Sequence, residues 1–155
     1  MKLIIITILL SLSATTAASQ WQTTSEQDII EGHTNHMAYT YTGSKYAPKA
    51  LLIICNNKGL RSTIINLETY LNNEPVEAIY RFDSEKPVNL TMSVSTDGDS
   101  VFIPDKHQAK FTEKLKEHSK LAIRVYDYRG TPKDQVFSLS GSTKAINKTL
   151  NACQL

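Results

Sequence analysis

Residues 76–105, VEAIYRFDSEKPVNLTMSVSTDGDSVFIPD, decide how this chain reads. Ala78, Tyr80 and Phe82 alternate with Glu77, Ile79, Arg81 and Asp83, so a strand here sends aromatic residues to one face and mostly charge to the other. Further on, Met92 and Val94 lead into Ser95-Thr96-Asp97-Gly98-Asp99-Ser100, and Val101, Phe102 and Ile103 are again β-prone. Asp-Gly between two such runs is a strong hairpin signal and predicts a type I′ turn with Gly98 at positive φ. The stretch therefore reads as antiparallel strands with one face buried.

Working back toward the N-terminus, Asn72-Asn73-Glu74-Pro75 breaks the chain, and Ser62 to Leu67 is a β-prone run. The turn Asn56-Asn57-Lys58-Gly59 joins that run to Ala50–Cys55, ALLIIC, which is too short for a buried helix and is expected as a strand covered on both faces. Met37, Tyr39 and Tyr41 alternate with His36, Ala38, Thr40 and Thr42, predicting a half-buried strand before Gly43-Ser44. Residues 19–36 are polar apart from Trp21, Ile29 and Ile30 and are expected as an irregular or partly helical lead-in. Residues 1–18 read as a signal peptide: Lys2, an apolar run from Leu3 to Leu12, then small residues through Ala17-Ala18. That run is well short of the about 20 apolar residues that cross a bilayer, so no stable membrane span is expected after cleavage.

In the other direction the period changes after Pro104. Asp105 and Gln108 suit a helix start, and Phe111, Leu115 and His118 share a face, predicting a helix over about 105–119. Leu121, Ile123 and Val125 mark another strand, ended by Arg129-Gly130-Thr131-Pro132, and a further strand is expected over 135–139. Gly141-Ser142 opens a last helix, about 142–151, with Ala145, Ile146, Thr149 and Leu150 inward. The fold class is α+β: a β-rich antiparallel sheet or sandwich with two helices, in a single domain over 37–155.

Cys55 and Cys153 are the only cysteines, and both follow the leader. In an oxidising compartment they have one possible pairing, and the alternative is two free buried thiols. The formal charge of +2 falls by one when Lys2 leaves, and the lysines are scattered among acids, so no nucleic-acid partner is expected.

The residues show no catalytic set. There is no G-x-S-x-G or S-x-x-K arrangement, and Cys55 closes an apolar strand with a disulfide partner available. His33 and His36, with Asp28 and Glu31 near, could hold zinc if the segment were helical. The segment is polar, precedes a strand and lacks H-E-x-x-H, which favours solvated histidines, so no metal and no cofactor is assigned. His107 and His118 stand too far apart on their helix to share an ion. Asp97-Gly98-Asp99 lacks the ligand series of a calcium loop. Asn89-Leu90-Thr91 and Asn147-Lys148-Thr149 match a glycosylation acceptor, which matters only in a eukaryotic secretory pathway. Arg81, between two aromatic residues, is expected to fork onto a carboxylate or to stand as an exposed charge, with ligand recognition as the other reading. Tyr126 and Tyr128, beside Arg124 and Arg129, form an aromatic and arginine group of the kind that anchors protein contacts.

Taken in order, a leader, a strand ending in Cys55, Tyr80-Arg81-Phe82-Asp83, Ser95-Thr96-Asp97-Gly98 before Phe102, a helix, Leu121-Ala122-Ile123-Arg124-Val125, and Phe137-Ser138-Leu139-Ser140-Gly141 ahead of Ala152-Cys153 resemble the VasI/TagO family of exported envelope proteins associated with bacterial type VI secretion. The resemblance covers residues 37–155. It implies a periplasmic accessory or binding protein with no catalytic residue set to carry over. The mature chain is expected to be a soluble monomer, partnered with another envelope protein or a cell-wall-associated component. The alternative is a periplasmic inhibitor of a cell-wall hydrolase, similar in format to the small lysozyme inhibitors. Some of those present an S-G-x-x-Y loop, where this chain has Asp97-Gly98-Asp99-Ser100-Val101-Phe102.

Overall fold

The computed structural model describes residues 21–154 other than 68 and 73, with the side chains of 61 and 62 also left aside. The expected signal peptide over 1–18 lies outside the described residues. Nine strands and two helices follow one another: β1 (Gln22–Asp28), β2 (His33–Ser44), β3 (Ala47–Asn56), β4 (Gly59–Asn66), β5 (Val76–Phe82), β6 (Val88–Val94), β7 (Ser100–Phe102), α1 (Asp105–Glu117), β8 (Lys120–Tyr126), β9 (Pro132–Ser138) and α2 (Ser142–Ala152). All strands join one antiparallel sheet in the order β1-β2-β3-β4-β7-β6-β5-β8-β9. Of the two architectures open to the sequence, the chain takes the single sheet with two helices.

The alternation read in β5 is the alternation found. Ala78 and Phe82 are buried, Tyr80 is half-buried, and Arg81 is exposed on the opposite face. Leu121, Ile123, Val125 and Phe137 continue the inner face through β8 and β9, and Leu51, Ile53 and Ile65 do so through β3 and β4. In β3 one face is fully buried while Leu52 and Ile54 opposite are only half-covered, so the strand is not enclosed on both sides as expected. The sheet coils until its two ends meet. The Trp21 indole N–H donates to the Ser138 carbonyl at 3.1 Å, and Gln135 Nε2 donates to Thr42 Oγ1 at 3.3 Å.

That closure corrects the reading of 19–36 as an irregular lead-in. Residues 22–28 are a strand paired in register with 33–39, from Gln22 opposite Tyr39 to Asp28 opposite His33. Most of β1 is exposed, so it carries no hydrophobic alternation to read, and pairing with β2 rather than burial makes it a strand. Only Trp21, at its start, enters the core.

The β6–β7 connection is a hairpin, as expected, but not a two-residue type I′ turn. A type I′ turn needs positive φ at both central residues, and here Gly98 alone is left-handed, at φ 77°. The Gly98 N–H donates to the Ser95 carbonyl at 2.9 Å, and the Gly98 carbonyl accepts from the Leu71 N–H at 2.7 Å, so the turn is fastened to the segment entering β5.

Helix α1 begins at Asp105, with Pro104 in the capping position and no side-chain cap, so Asp105 is a first-turn acid rather than the cap. It stops at Glu117 because His118 is extended and because the N-terminus of α2 occupies its last carbonyls. The Ser142 hydroxyl donates to the Leu115 carbonyl at 2.6 Å, and the Thr143 hydroxyl to that of Lys116 at 2.7 Å. Side chains of one helix thus satisfy the end of the other, where no intrahelical donor remains. At the far end of α2, Cys153 is disulfide-bonded to Cys55 of β3 with a Cα–Cα distance of 6.0 Å.

Candidate functional site

The outer face of β5, β8 and β9 carries a shallow concavity. The registers Ile79 opposite Arg124, Arg81 opposite Ala122, Ala122 opposite Val136 and Arg124 opposite Asp134 set two outward rows across three strands. Ala122, the smallest residue of the group, lies between larger neighbours, and the dip is a groove of about 340 Å³ that no helix residue lines. Its floor is apolar, with Val136 50% exposed.

Three of the four residues singled out as binding candidates have their side-chain partners within the protein. Arg124 holds Asp134 in a two-pronged grip, Nε to Oδ1 and Nη2 to Oδ2, each 2.5 Å. The hydrogen bonds from Arg124 hold the Asp134 carboxyl below its usual range, and the same bonds push the arginine's own value further up. Tyr126 lies on the outward row with Arg124 at the end of β8, and it too raises that value. Tyr128 follows in the β8–β9 turn. Its ring packs edge-on against Tyr70 at 5.6 Å, and the Arg129 guanidinium lies 5.0 Å over its face with Nε donating to the phenolic oxygen at 2.7 Å. The turn itself is organised by Asp127, whose Oδ1 accepts the Arg129 and Thr131 N–H groups, both at 2.9 Å.

Arg81 differs from these. Asp83 was the nearest acid in sequence, but its carboxylate accepts the N–H groups of Ser119 and Lys120. The Arg81 guanidinium has no ion-pair or hydrogen-bond partner among the described residues and borders the groove. Sequence reasoning missed Tyr70, Asp134, Val136 and Ala122. Asp134 is the partner of Arg124 only through the β8–β9 register, and Tyr70 meets Tyr128 from a loop far away in the chain.

The remaining histidines separate. His118 Nε2 lies 3.0 Å from Glu85 Oε1, Lys114 takes the other Glu85 oxygen, and the imidazole packs on Phe82 at 5.0 Å. The hydrogen bonds from Lys114, then His118, lower the Glu85 carboxyl below its ordinary value. His36 shares a 2.8 Å contact with the Ser25 hydroxyl across the β1–β2 ladder, whereas His33 stands with Asp28 and Glu31 at that hairpin's turn. The helical His33/His36 pair does not exist, since positions three apart in a strand point to opposite faces.

No protein-family model matches the sequence, and no curated protein matches it. Among solved structures the chain is similar to invasion associated protein B from Bartonella henselae, with a TM-score of 0.62 and 14% sequence identity over 92% of this chain and 100% of that one. At that identity the likeness is one of fold. Among the described residues no helix is long and apolar enough to cross a membrane.

Proposed function

We propose that this chain is a non-catalytic binding domain of the bacterial envelope, exported to the periplasm and acting as an accessory of type VI secretion, as its resemblance to the VasI/TagO proteins implies. The observation that carries the binding role is the groove on β5, β8 and β9. An apolar floor of Ile79, Ala122 and Val136 lies beside the exposed guanidinium of Arg81, which has no ion-pair partner among the described residues. Aromatic and arginine anchors around a desolvatable apolar centre are the composition of protein contact sites. Tyr70, Tyr126 and Tyr128 supply such anchors on the exposed surface. The disulfide is consistent with export, since such bonds persist in oxidising compartments. For the hydrolase-inhibitor alternative, the 95–100 turn is a poor inhibitory loop. Gly98 is buried there and its carbonyl is taken by Leu71.

A photo-crosslinking residue placed at Arg81, Tyr128 or Val136 of the exported protein tests this, with Lys144 on α2 as the control position. Discrete adducts to one envelope protein from Arg81, Tyr128 and Val136 and not from Lys144 support the reading, provided the purified partner reproduces them. Adducts that are equal at all four positions, or peptidoglycan cleavage by the purified protein, overturn it.

A further inference from the structure

The turn between β1 and β2 carries a second site, independent of the groove. Asp28, Glu31 and His33 each offer one ligand atom there, and all of these atoms lie within 4.8 Å of one another. Two acids at a turn would by themselves mean little; the histidine changes the argument. Its side chain is 8% exposed, and Nδ1 is a buried atom with no hydrogen-bond partner among the described residues. Nδ1 nevertheless lies within the same cluster as the acids, 3.3 Å from Glu31 Oε2 but without hydrogen-bond alignment. An orphaned buried polar atom costs about 1–3 kcal/mol, and a cation between the imidazole lone pair and the carboxylates would satisfy all three groups.

We propose that this turn binds a divalent transition metal, with Zn²⁺ the best fit, through His33 Nδ1 and the carboxylates of Asp28 and Glu31. One imidazole nitrogen and two carboxylate oxygens suit zinc better than calcium or magnesium, which prefer all-oxygen shells. Zinc bonds of about 2.0–2.2 Å put its ligand atoms roughly 3.4 Å apart in a tetrahedron. His33 Nδ1 and Glu31 Oε2, 3.3 Å apart, already stand at that spacing. Asp28 is already positioned. Its Oδ1 accepts the N–H groups of Ile30 at 2.9 Å and Glu31 at 2.8 Å, which fixes the carboxylate and leaves the other oxygen for an ion. The Gly32 N–H closes the turn onto the Asp28 carbonyl at 2.9 Å.

The competing cation is Lys58, whose Nζ lies 3.8 Å from Glu31 Oε2 on an exposed side chain free to swing into solvent. Three protein donors leave a coordination position for water or a partner's group. The same turn carries Ile29 and Ile30, 85% and 89% exposed, so a bound ion would stiffen the segment that presents them.

The test uses the mature, disulfide-bonded protein without a polyhistidine tag, titrated with zinc chloride by calorimetry, and its thermal midpoint with and without zinc. One equivalent should bind saturably and raise the midpoint, because a ligand that binds only the folded state stabilises it. His33→Ala should weaken binding by more than about 100-fold, beyond the roughly 10–100-fold lost when only a hydrogen-bond partner of a metal ligand is removed. His36→Ala should leave it unchanged, and Lys58→Gln should strengthen it. If His33→Ala fails to fold, the exposed Glu31→Gln stands in and should weaken zinc binding at least about tenfold. Absence of saturable binding by the parent, parent-like binding by both His33→Ala and Glu31→Gln, or an equal loss from His36→Ala would each overturn the site. A midpoint that zinc leaves unmoved would overturn it as well.

Discussion

The Trp21 indole donates a 3.1 Å hydrogen bond to the carbonyl of Ser138, a residue 117 positions further along the chain, and so joins the two ends of the coiled sheet. Trp21 is also buried in the core beyond that bond. Trp21→Phe keeps most of the apolar surface and loses the donor, so it should cost about 1–2 kcal/mol. Trp21→Ala adds a cavity and should cost about 3–5 kcal/mol in urea unfolding. If both variants unfold like the parent, the closure contributes nothing.

Gly98 should tolerate little. Its φ of 77° lies in the left-handed region, which costs a non-glycine residue roughly 1–2 kcal/mol. A β-branched side chain fits that region worst. Gly98→Val should therefore lower the unfolding midpoint clearly, and Gly98→Asn much less, since Asn accepts the conformation best. Equal midpoints for the two variants would remove the backbone argument.

The Cys55–Cys153 bond spans a sequence separation of 98. Chain-entropy arguments assign a loop of that size roughly 4–5 kcal/mol. Protein matured in an oxidising compartment should resist thiol alkylation until a reductant is added, and the reduced form should unfold at markedly lower urea. Alkylation of the folded protein without reductant would show that the bond does not form there.

Asp127 gives the acid limb of stability a specific source. Hydrogen bonds from the Thr131 N–H, then the Arg129 N–H and the Lys133 ammonium, hold its carboxyl below the ordinary 3.8. A carboxyl that is more acidic folded than unfolded contributes its full stability above about pH 4 and loses it as pH falls through the lower, folded value. Asp127→Asn cannot lose that contribution by protonation. Thermal midpoints followed from about pH 6 to about pH 3 should fall less steeply for the variant than for the parent. Parallel slopes would mean that other carboxyls govern the limb.

Much of the fold was legible locally. Residues such as Phe82, Leu121 and Ile146 lie inward as their spacing predicts, because burial of one face imposes the period of the element on the sequence. The helices fall within two residues of their predicted ends for the same reason. The cysteine pairing needed only a count and an oxidising compartment. Strand β1 was not legible, because it is exposed along most of its length and owes its conformation to β2 and to the closure at Trp21. Nor could the chain alone reveal that Arg124 is taken by Asp134 while Arg81 has no ion-pair partner among the described residues, since both are strand arginines with acids nearby. Register across β5, β8 and β9 decides that, and pairing of β1 with β2 likewise turns a polar run into a hairpin that gathers Asp28, Glu31 and His33. Local periodicity records which side of an element is buried, but which groups meet across strands depends on pairings between distant segments, and those exist only once the sheet has formed.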